Sequence, residues 1–350
     1  MPHAVRHLTI LVITLLLGAC TADARSTGES FAPLVRKVLP SVVNIQVTEA
    51  ATNRDLLRDL PPELRDTPLG REFRRRFGNN SQLRTIGAGS GFIIDPSGII
   101  VTNNHVVGHA EKIVVALTNG HQYPAKLIGQ DQLTDIAVIK VVTSEPLAAV
   151  TWGDSRQMQV GDWVLSAGNP FGLGGSVTAG IVSAEGRDLG SGPFDDFLQL
   201  DAPINPGNSG GPVFNMAGQV IGVSSVIVSP TGASVGIGFA IPSEIVNPVV
   251  RQLIATGTIA RGWLGVSVED HETSVLISAV EHTGPASRAG LKAGDEVVAI
   301  NGATVSTSRG LIRAVAAQTP GVNAHLTVRR EGQTVDVPVT VGLRPSTKAE

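Results

Sequence analysis

The chain has 350 residues, of which 42% are hydrophobic and only 16% charged, and its formal net charge at pH 7 is −3. The apolar content excludes wholesale disorder, and the length suggests two or three domains. The weakly acidic balance gives no reason to expect nucleic-acid binding, and a single Cys can build neither an intrachain disulfide nor a zinc knuckle. The 40 Gly and 21 Pro favour many turns and short strands over long helices.

The N-terminus is typical of an export signal. Arg6 precedes the apolar run 8–17, which is shorter than the about 20 residues of a membrane-spanning helix and typical of a signal-peptide core. The run ends in Leu17-Gly18-Ala19-Cys20, which resembles the bacterial lipoprotein box, where the Cys receives a diacylglyceryl group. We therefore predict a signal peptide over 1–19 and a lipidated Cys that begins a tether over 20–30. An ordinary secretory signal and an uncleaved anchor are the alternatives, and each of the three exports the protein.

Three segments follow the predicted tether. Residues 31–39 have the apolar spacing of a short helix, and residues 41–47 alternate as a half-buried strand does. Residues 52–85 are rich in Arg, Asp, Glu and Pro, and this composition predicts a long, charged loop insertion.

Short β-branched runs then recur between Gly, Pro, Asn and Asp as far as residue 241. Strands at this spacing without long intervening helices indicate sandwiches or barrels. We predict them at residues 91–94, 99–102, 113–117, 136–142, 163–167, 180–184, 220–228 and 236–241. Residues 243–254 have helical apolar spacing, and a smaller β-rich unit begins after residue 261.

Three local contexts carry the side chains of nucleophilic catalysis. His105 follows one predicted strand, Asp135 precedes another, and Ser209 lies in the turn Asn-Pro-Gly-Asn-Ser-Gly-Gly-Pro. A serine hydroxyl is a weak nucleophile until a base takes its proton, and His is the side chain that titrates near neutrality. A buried Asp fixes the tautomer of the His and stabilises the imidazolium. Each context alone is weak evidence, but together, in this order, they predict a catalytic triad.

The glycines around Ser209 also suit an oxyanion hole. They allow a tight turn and leave backbone amides uncovered, so that N–H groups can converge on the developing negative charge. We expect the amides of Gly207 and Ser209 to form this hole, with the amide of Asn208 alongside.

Five segments are similar to the HtrA/Deg family of trypsin-like serine proteases, which are bacterial periplasmic proteases that carry PDZ domains. The matching segments are GAGSGFIIDPSGIIVTNNHVV (87–107), TDIAVIK (134–140), GNPFGLGGSVTAGIVSA (168–184), NPGNSGGP (205–212) and GIGFAIP (236–242). The resemblance covers residues 31–343. It implies a mainly β fold of two perpendicular six-stranded barrels, with His105 as general base, Asp135 orienting it and Ser209 as nucleophile in the cleft between them.

The resemblance also divides the chain into domains. It implies a trypsin-like protease domain over 31–248, a linker over 249–260, one PDZ domain over 261–343 and a tail over 344–350.

Further roles follow from the same resemblance. The stretch Ser225-Val226-Ile227-Val228 resembles the strand that walls the S1 pocket, and its small to medium apolar side chains imply an aliphatic P1 residue such as Val or Ala. Arg187 matches the activation-loop arginine, and Gln199 lies in the associated cluster. Residues 188–197 match the loop that a neighbouring subunit contacts. Leu200 departs from the family's usual Thr, so the details of the cluster around Gln199 are not carried over.

The C-terminal unit resembles the PDZ domains of this family. Such a domain adds a peptide as an extra strand at a sheet edge. The loop Trp263-Leu264-Gly265-Val266 would hold the terminal carboxylate on the amides of its last three residues. Leu311 and Val315, one helical turn apart, would line the groove, although plain core packing explains them equally well.

A zinc site is the competing interpretation of the central histidines. His105 and His109 are spaced i, i+4, but the segment lacks the Glu of the H-E-x-x-H pattern and is strand-like before His105. We do not favour a metal, and the family resemblance implies no cofactor.

The sequence therefore predicts an exported, ATP-independent serine endopeptidase that cleaves unfolded or tagged envelope proteins and is regulated by hydrophobic C-terminal peptides at its PDZ domain. The resemblance implies a homotrimer with residues 31–39 at the subunit contacts. One alternative is a chaperone or binding scaffold with minor protease activity. Another is a regulatory protease of a stress-signalling pathway, which the single PDZ domain and the tether favour, whereas the insertion at 52–85 resembles the quality-control branch.

Overall fold

The computed structural model describes residues 30–50, 84–172, 174–205, 207–229 and 234–345. The predicted signal peptide, Cys20, almost all of the tether and most of the charged insertion therefore lie outside the described residues. Within the described ranges, no helix is both long and apolar enough to span a bilayer.

Six antiparallel strands close the first barrel, and their buried faces are mostly β-branched. They are β1 (Val42–Ala50), β2 (Arg84–Asp95), β3 (Ile99–Asn103), β4 (Lys112–Ala116), β5 (Gln122–Asp131) and β6 (Ile136–Val141). The barrel order is β1-β2-β3-β6-β5-β4. Alternate residues of β1, which are Val43, Ile45 and Val47, point into the core, because successive side chains of a strand face opposite sides.

A second barrel follows, after the two-residue strand β7 (Thr151–Trp152). Its strands are β8 (Trp163–Gly168), β9 (Ser176–Arg187), β10 (Phe197–Leu200), β11 (Pro212–Phe214), β12 (Gln219–Ile227) and β13 (Gly238–Pro242). They run in the order β11-β8-β9-β10-β13-β12, and the pairing of β11 with β12 closes the circle, while β7 adds to β12 in parallel. Two six-stranded barrels confirm the predicted mainly β, trypsin-like fold.

Helices are few among the described residues of the peptidase part. They are α1 (Ala32–Val38), α2 (Asn104–Val107) and α3 (Ser243–Thr256), with 3₁₀ turns at Leu39–Ser41, Ser155–Gln157 and Pro170–Gly172. The helix α3 continues into the segment predicted as a linker. Its residues Val249, Val250 and Leu253 are buried, and Gly257 ends it with a φ of 76° that favours glycine. Residues 249–256 therefore pack on the barrels, and only 257–260 remain as a connection.

The C-terminal unit is a small sheet with two short helices. A five-strand path β15-β16-β17-β19-β20 carries β18 beside β17, and β14 pairs separately with β21. The bounds are β14 (Gly262–Trp263), β15 (Val266–His271), β16 (Ser274–Val280), α4 (Pro285–Arg288), β17 (Glu296–Ile300), β18 (Ala303–Thr304), α5 (Ser308–Ala316), β19 (Asn323–Arg330), β20 (Gln333–Thr340) and β21 (Gly342–Leu343). Strand β15 lies at one edge of the sheet, so its outer side is unpaired among the described strands and open to an added strand.

A buried ion pair joins the start of this unit to the first barrel. The Arg261 guanidinium donates to both carboxylate oxygens of Asp131 at 2.5 and 2.6 Å, and the two side chains are only 8% and 7% exposed. The guanidinium also lies 4.7 Å from the ring centre of Phe194. The Thr134 amide donates to the same carboxylate at 3.1 Å, so the pair is tied to the turn that carries Asp135.

Asp295 is a second buried carboxylate, 1% exposed, within the PDZ unit. It accepts two hydrogen bonds of 2.7 Å from Arg330 and one of 2.8 Å from the Lys292 amide. Burial, the strongest single influence, raises the pKa of the Asp295 carboxyl, but the hydrogen bonds and the charges of Arg330 and Lys292 outweigh it and leave the pKa below 3.8. Since this pKa is lower in the folded protein than in the unfolded chain, the carboxylate stabilises the fold above about pH 4 and that contribution is lost at lower pH.

We therefore expect Asp295→Asn to lower the free energy of unfolding by about 2 kcal/mol at pH 7, because Arg330 keeps its charge and loses a charged partner. The difference between wild type and variant should shrink as the pH falls from 5 to 3. Urea unfolding of the full chain at several pH values measures it. Asp336→Asn is the control, because Asp336 pairs with His325 in a contact 57% exposed on both sides and should change stability little. A loss at Asp295 that does not depend on pH would contradict this account.

Candidate active site

His105 is carried by the short helix α2, directly after β3 in the first barrel. Two neighbouring residues hold the end of this strand against the turn of Asp135. The Asn104 amide donates to the Asp135 carbonyl at 3.0 Å, and Asn103 Nδ2 donates to the same oxygen at 2.9 Å. His105 follows a strand and Asp135 precedes one, as predicted, and these contacts place the two residues side by side.

The carboxylate of Asp135 binds His105 through both oxygens. Oδ2 lies 2.8 Å from the ring Nδ1, and Oδ1 accepts the backbone amide of His105 at 2.9 Å. The residue has a φ of 54°, a left-handed conformation that is costly for a side chain with a Cβ. The two bonds fix both the position and the rotation of the imidazole, and they leave its Nε2 free of this carboxylate.

Ser225 links the carboxylate to the candidate nucleophile, a role that the sequence analysis missed. Its hydroxyl donates to Asp135 Oδ2 at 3.1 Å, and its carbonyl accepts the hydroxyl of Ser209 at 3.2 Å. Among the described residues, this is the hydrogen bond that the Ser209 hydroxyl makes, and it makes none to His105. Attack by Ser209 therefore requires its hydroxyl to turn away from Ser225.

The turn around Ser209 needs glycine at two positions. Gly207 has a φ of 95°, and an added Cβ would lie 2.8 Å from Cβ of Pro170. Gly210 has a φ of 84°, and a Cβ there would collide with the Ser90 carbonyl and the Thr102 hydroxyl. Both the backbone angle and the close approach of β2 exclude a side chain at Gly210.

The backbone amides of this turn do not all face the cleft. The Asn208 amide donates to the Asn205 carbonyl at 3.0 Å, because the turn closes on itself there. Its predicted place in the oxyanion hole is therefore not available in this arrangement. The amides of Gly207 and Ser209 have no hydrogen-bond acceptor among the described residues. The Asn208 carbonyl accepts the Gly211 amide at 2.9 Å, which sets the peptide plane that carries the Ser209 N–H.

The predicted S1 wall forms an apolar strip beside this turn. Within residues 225–228, Val226 and Val228 are 40% and 51% exposed, whereas Ser225 and Ile227 are half-buried. The Val228 amide donates to the Ile237 carbonyl at 3.2 Å, and Ile237 is itself exposed. A substrate strand laid along this edge would meet aliphatic side chains.

The two predicted activation residues contact each other. Arg187 Nε, at the end of β9, donates to Gln199 Oε1 on β10 at 2.9 Å. Leu200, the departure from the family pattern, is fully buried in the core of the second barrel. Its aliphatic side chain fills that core, so it takes no part in a polar cluster around Gln199.

The loop 188–197, which the resemblance assigns to a subunit contact, lies against the helix α5 of the same chain. Arg309 pairs with Asp188, and Arg313 Nε donates to the Pro193 carbonyl at 2.8 Å. Arg313 also lies 3.5 Å from the Asp196 carboxylate. Two arginines of the PDZ unit therefore hold both ends of this loop.

A cavity of about 160 Å³ lies between β15 and α5, and all six predicted PDZ residues line it. Those residues are Trp263, Leu264, Gly265, Val266, Leu311 and Val315. Leu311 and Val315 are also buried in the core of the domain, so both interpretations of this pair apply. Ile312 and Arg344 line the cavity as well, and the sequence analysis missed them because the helix register and the return of the chain were not known.

The zinc alternative gains no support from the structure. The helix α2 ends at Val107, so His105 and His109 do not share a helix face. Across the part of the chain that the structure describes, no group of three or more His, Cys, Asp or Glu side chains could hold a metal ion.

Comparisons with known proteins agree with this architecture. Residues 89–223 match the trypsin-like peptidase domain family, and residues 262–341 match the PDZ domain family. A probable periplasmic serine endoprotease, DegP-like, of Brucella suis is 42% identical over 91% of this chain and 70% of its own length. The DegP-like protein of Pseudomonas savastanoi is 38% identical over 98% of this chain and 77% of its own length.

Solved structures give the same result. The HtrA-type protease AlgW with a decapeptide superposes with a TM-score of 0.77 at 38% identity, covering 91% of this chain and 99% of that one. The serine endoprotease from Yersinia pestis gives a TM-score of 0.71 at 32% identity, covering 91% and 100%. The chain therefore belongs to the HtrA-type, DegP-like family of serine endoproteases, in which a trypsin-like peptidase domain is followed by a PDZ domain.

Proposed function

We propose that this endopeptidase uses Ser209 to cleave unfolded or C-terminally tagged proteins of the bacterial cell envelope. The observation that carries the proposal is the carboxylate of Asp135, which binds the backbone and the ring of His105 together, and Ser225 as well. A carboxylate that orients an imidazole beside a serine in a glycine-rich turn is the arrangement that acyl transfer requires.

The mechanism follows from these contacts. The Ser209 hydroxyl turns from the Ser225 carbonyl to Nε2 of His105, which takes its proton as the oxygen attacks the scissile carbonyl. The resulting oxyanion is held by the amides of Gly207 and Ser209. His105 then gives the proton to the leaving amine, and the same base activates the water that hydrolyses the acyl ester. Asp135 stays ionised and stabilises the imidazolium throughout.

The substrate preference follows from the strip beside the nucleophile. Val226, Val228 and Ile237 are exposed there, so an aliphatic P1 side chain such as Val or Ala gains apolar contact. We propose that the backbone of residues 225–228 pairs with the substrate strand.

Regulation by peptides is supported by the position of α5. Its residues Leu311 and Val315 line the groove, while Arg309 and Arg313 hold the loop 188–197, which begins directly after Arg187. A C-terminal peptide in the groove therefore binds the helix that restrains this loop. Because a ligand shifts an equilibrium only through differential binding, the activating peptide must bind more tightly when the loop is in its active arrangement. A regulatory, stress-signalling protease is the second candidate function, and these contacts favour it.

The direct test compares cleavage of an unfolded, casein-like substrate by wild type and by Ser209→Ala. We expect the variant to lose more than about a thousandfold in rate, since the nucleophile is absent. Hydrophobic C-terminal peptides should accelerate the wild type. Ile312→Lys, which places a charge in the groove, should lose this acceleration.

Each outcome separates the candidate functions. Robust cleavage without peptide points to quality control, and cleavage only with peptide points to the regulatory role. Undiminished cleavage by Ser209→Ala would contradict the proposed mechanism.

We propose that the chain is anchored in the envelope through a lipid on Cys20, which follows the apolar run at the N-terminus. The wild type should then be labelled by a radioactive fatty acid and fractionate with the membrane, and Cys20→Ala should lose the labelling. Wild-type chain that fractionates with the membrane without labelling would indicate an uncleaved anchor instead.

We also propose a homotrimer with residues 31–39 at the subunit contacts, on the strength of the family resemblance. Sedimentation velocity of the chain without residues 1–19 should show one species with the mass of three chains. A monomer over the concentration range of the activity assays would rule this assembly out.

A further inference from the structure

Ser90 is a fully buried residue of β2, and each of its polar groups has a partner. Its hydroxyl donates to the Gly207 carbonyl at 2.6 Å and accepts the Asn169 amide at 2.8 Å. Its own amide donates to the Ser209 carbonyl at 2.9 Å. Its carbonyl accepts the Thr102 hydroxyl at 2.7 Å. One residue of the first barrel thus binds a carbonyl on each side of Asn208, in the turn of the second barrel.

These two contacts fix peptide planes in the turn. A peptide group is planar, so holding the Gly207 carbonyl also sets the direction of the Asn208 amide, and holding the Ser209 carbonyl sets that of the Gly210 amide. The Gly210 amide donates to the Ser224 carbonyl at 2.8 Å. The peptide group between them, which carries the Ser209 N–H, is therefore held from both sides.

The approach of β2 to the turn is as close as the backbone allows. A Cβ on Gly89 would lie 3.2 Å from the Ser209 carbonyl oxygen and closer still to Val106. This closeness lets the short side chain of Ser90 reach the Gly207 carbonyl.

The hydroxyl is anchored on its other side as well. Asn169, whose amide donates to the hydroxyl, is fully buried. Its carbonyl accepts a hydrogen bond of 2.9 Å from Nδ2 of Asn44 on β1. The Asn169 amide that supports the hydroxyl thus belongs to a residue that is itself hydrogen-bonded to a strand of the first barrel. Ser90 therefore connects a strand of the first barrel to two segments of the second barrel.

We propose that Ser90 is a positioning residue for the oxyanion hole. Its hydroxyl connects the Asn169 amide to the Gly207 carbonyl and so holds the turn beside the peptide group that carries the Ser209 amide, one of the two donors where the tetrahedral oxyanion forms. The inference rests on the proposed function, in which the amides of Gly207 and Ser209 bind the oxyanion. Donors stabilise a transition state only when they are already in place, and a misplacement of about 1 Å can cost about a hundredfold in rate.

The test is Ser90→Ala, with Ser41→Ala as its matched control. Ser41 is also buried, at 2% exposure, and its hydroxyl donates to the Val38 carbonyl with the same length of 2.6 Å, so among the described residues this hydrogen bond does not involve the turn around Ser209. Three quantities are measured on the full chain: kcat and KM for a peptide with an aliphatic P1 residue, inhibition by the matching peptide boronic acid, and the midpoint of thermal unfolding.

We expect Ser90→Ala to lower kcat by about 10- to 100-fold with a much smaller change in KM, because the oxyanion exists only after binding. The boronic acid, which forms a tetrahedral adduct on the serine, should bind more weakly by a similar factor. The pH dependence of kcat/KM should keep its midpoint, since the contacts between His105 and Asp135 are untouched. Ser41→Ala should lower the unfolding temperature without the loss in kcat.

Equal kcat values in the two alanine variants, or a loss explained entirely by KM, would overturn the inference. If Ser90→Ala does not fold, Ser90→Cys keeps the size of the side chain with a weaker donor and should show an intermediate loss in kcat. Wild-type cleavage that disappears in Ser209→Ala establishes the proposed function whatever the Ser90 variants do. Absence of both cleavage and fluorophosphonate labelling in the wild type would instead contradict the proposed function, and the inference with it.

Discussion

The carboxylate of Asp135 accepts hydrogen bonds from residues of both barrels. It accepts the amide and the ring nitrogen of His105 from the first barrel and the hydroxyl of Ser225 from the second. Three donors on one carboxylate allow little freedom to any of them, and the left-handed backbone at Asp135 is tolerated because these bonds hold it. The cleft between the barrels takes its geometry from this residue, since movement of either barrel would break at least one of the three bonds.

The sequence predicts the three triad candidates because each of them lies next to a strand with a strong local pattern, and the structure brings two of them, His105 and Asp135, into contact. β3, β6 and the glycine turn before β11 are all recognisable from short apolar runs and from glycines that permit a positive φ. The contacts of Ser90 and Ser225 could not be predicted in the same way. They depend on the register of β2 and β12 and on how closely one barrel approaches the other. The pattern of one sequence does not predict the distance between the two barrels.

The same limit applies to the C-terminal half of α3 and to the groove. Residues 249–256 carry a helical pattern, but it is the burial of Val249, Val250 and Leu253 that shows this part of the helix packing on the barrels. For Leu311 and Val315 both interpretations of the pattern apply. The short helix α5 buries one face in the core of the domain and lines the groove with that same face. Periodicity identifies the face but does not distinguish its two uses.

The buried pair of Arg261 and Asp131 follows a very short connection between the two domains. This connection limits how far the domains can separate. Four residues, 257–260, separate α3 from Arg261, and a fully extended chain of that length spans only about 14 Å. A PDZ unit released from its contacts therefore stays within a small volume around its docking site. The arginines of α5 then face the loop 188–197 at an effective concentration of the order of millimolar, without any second molecule.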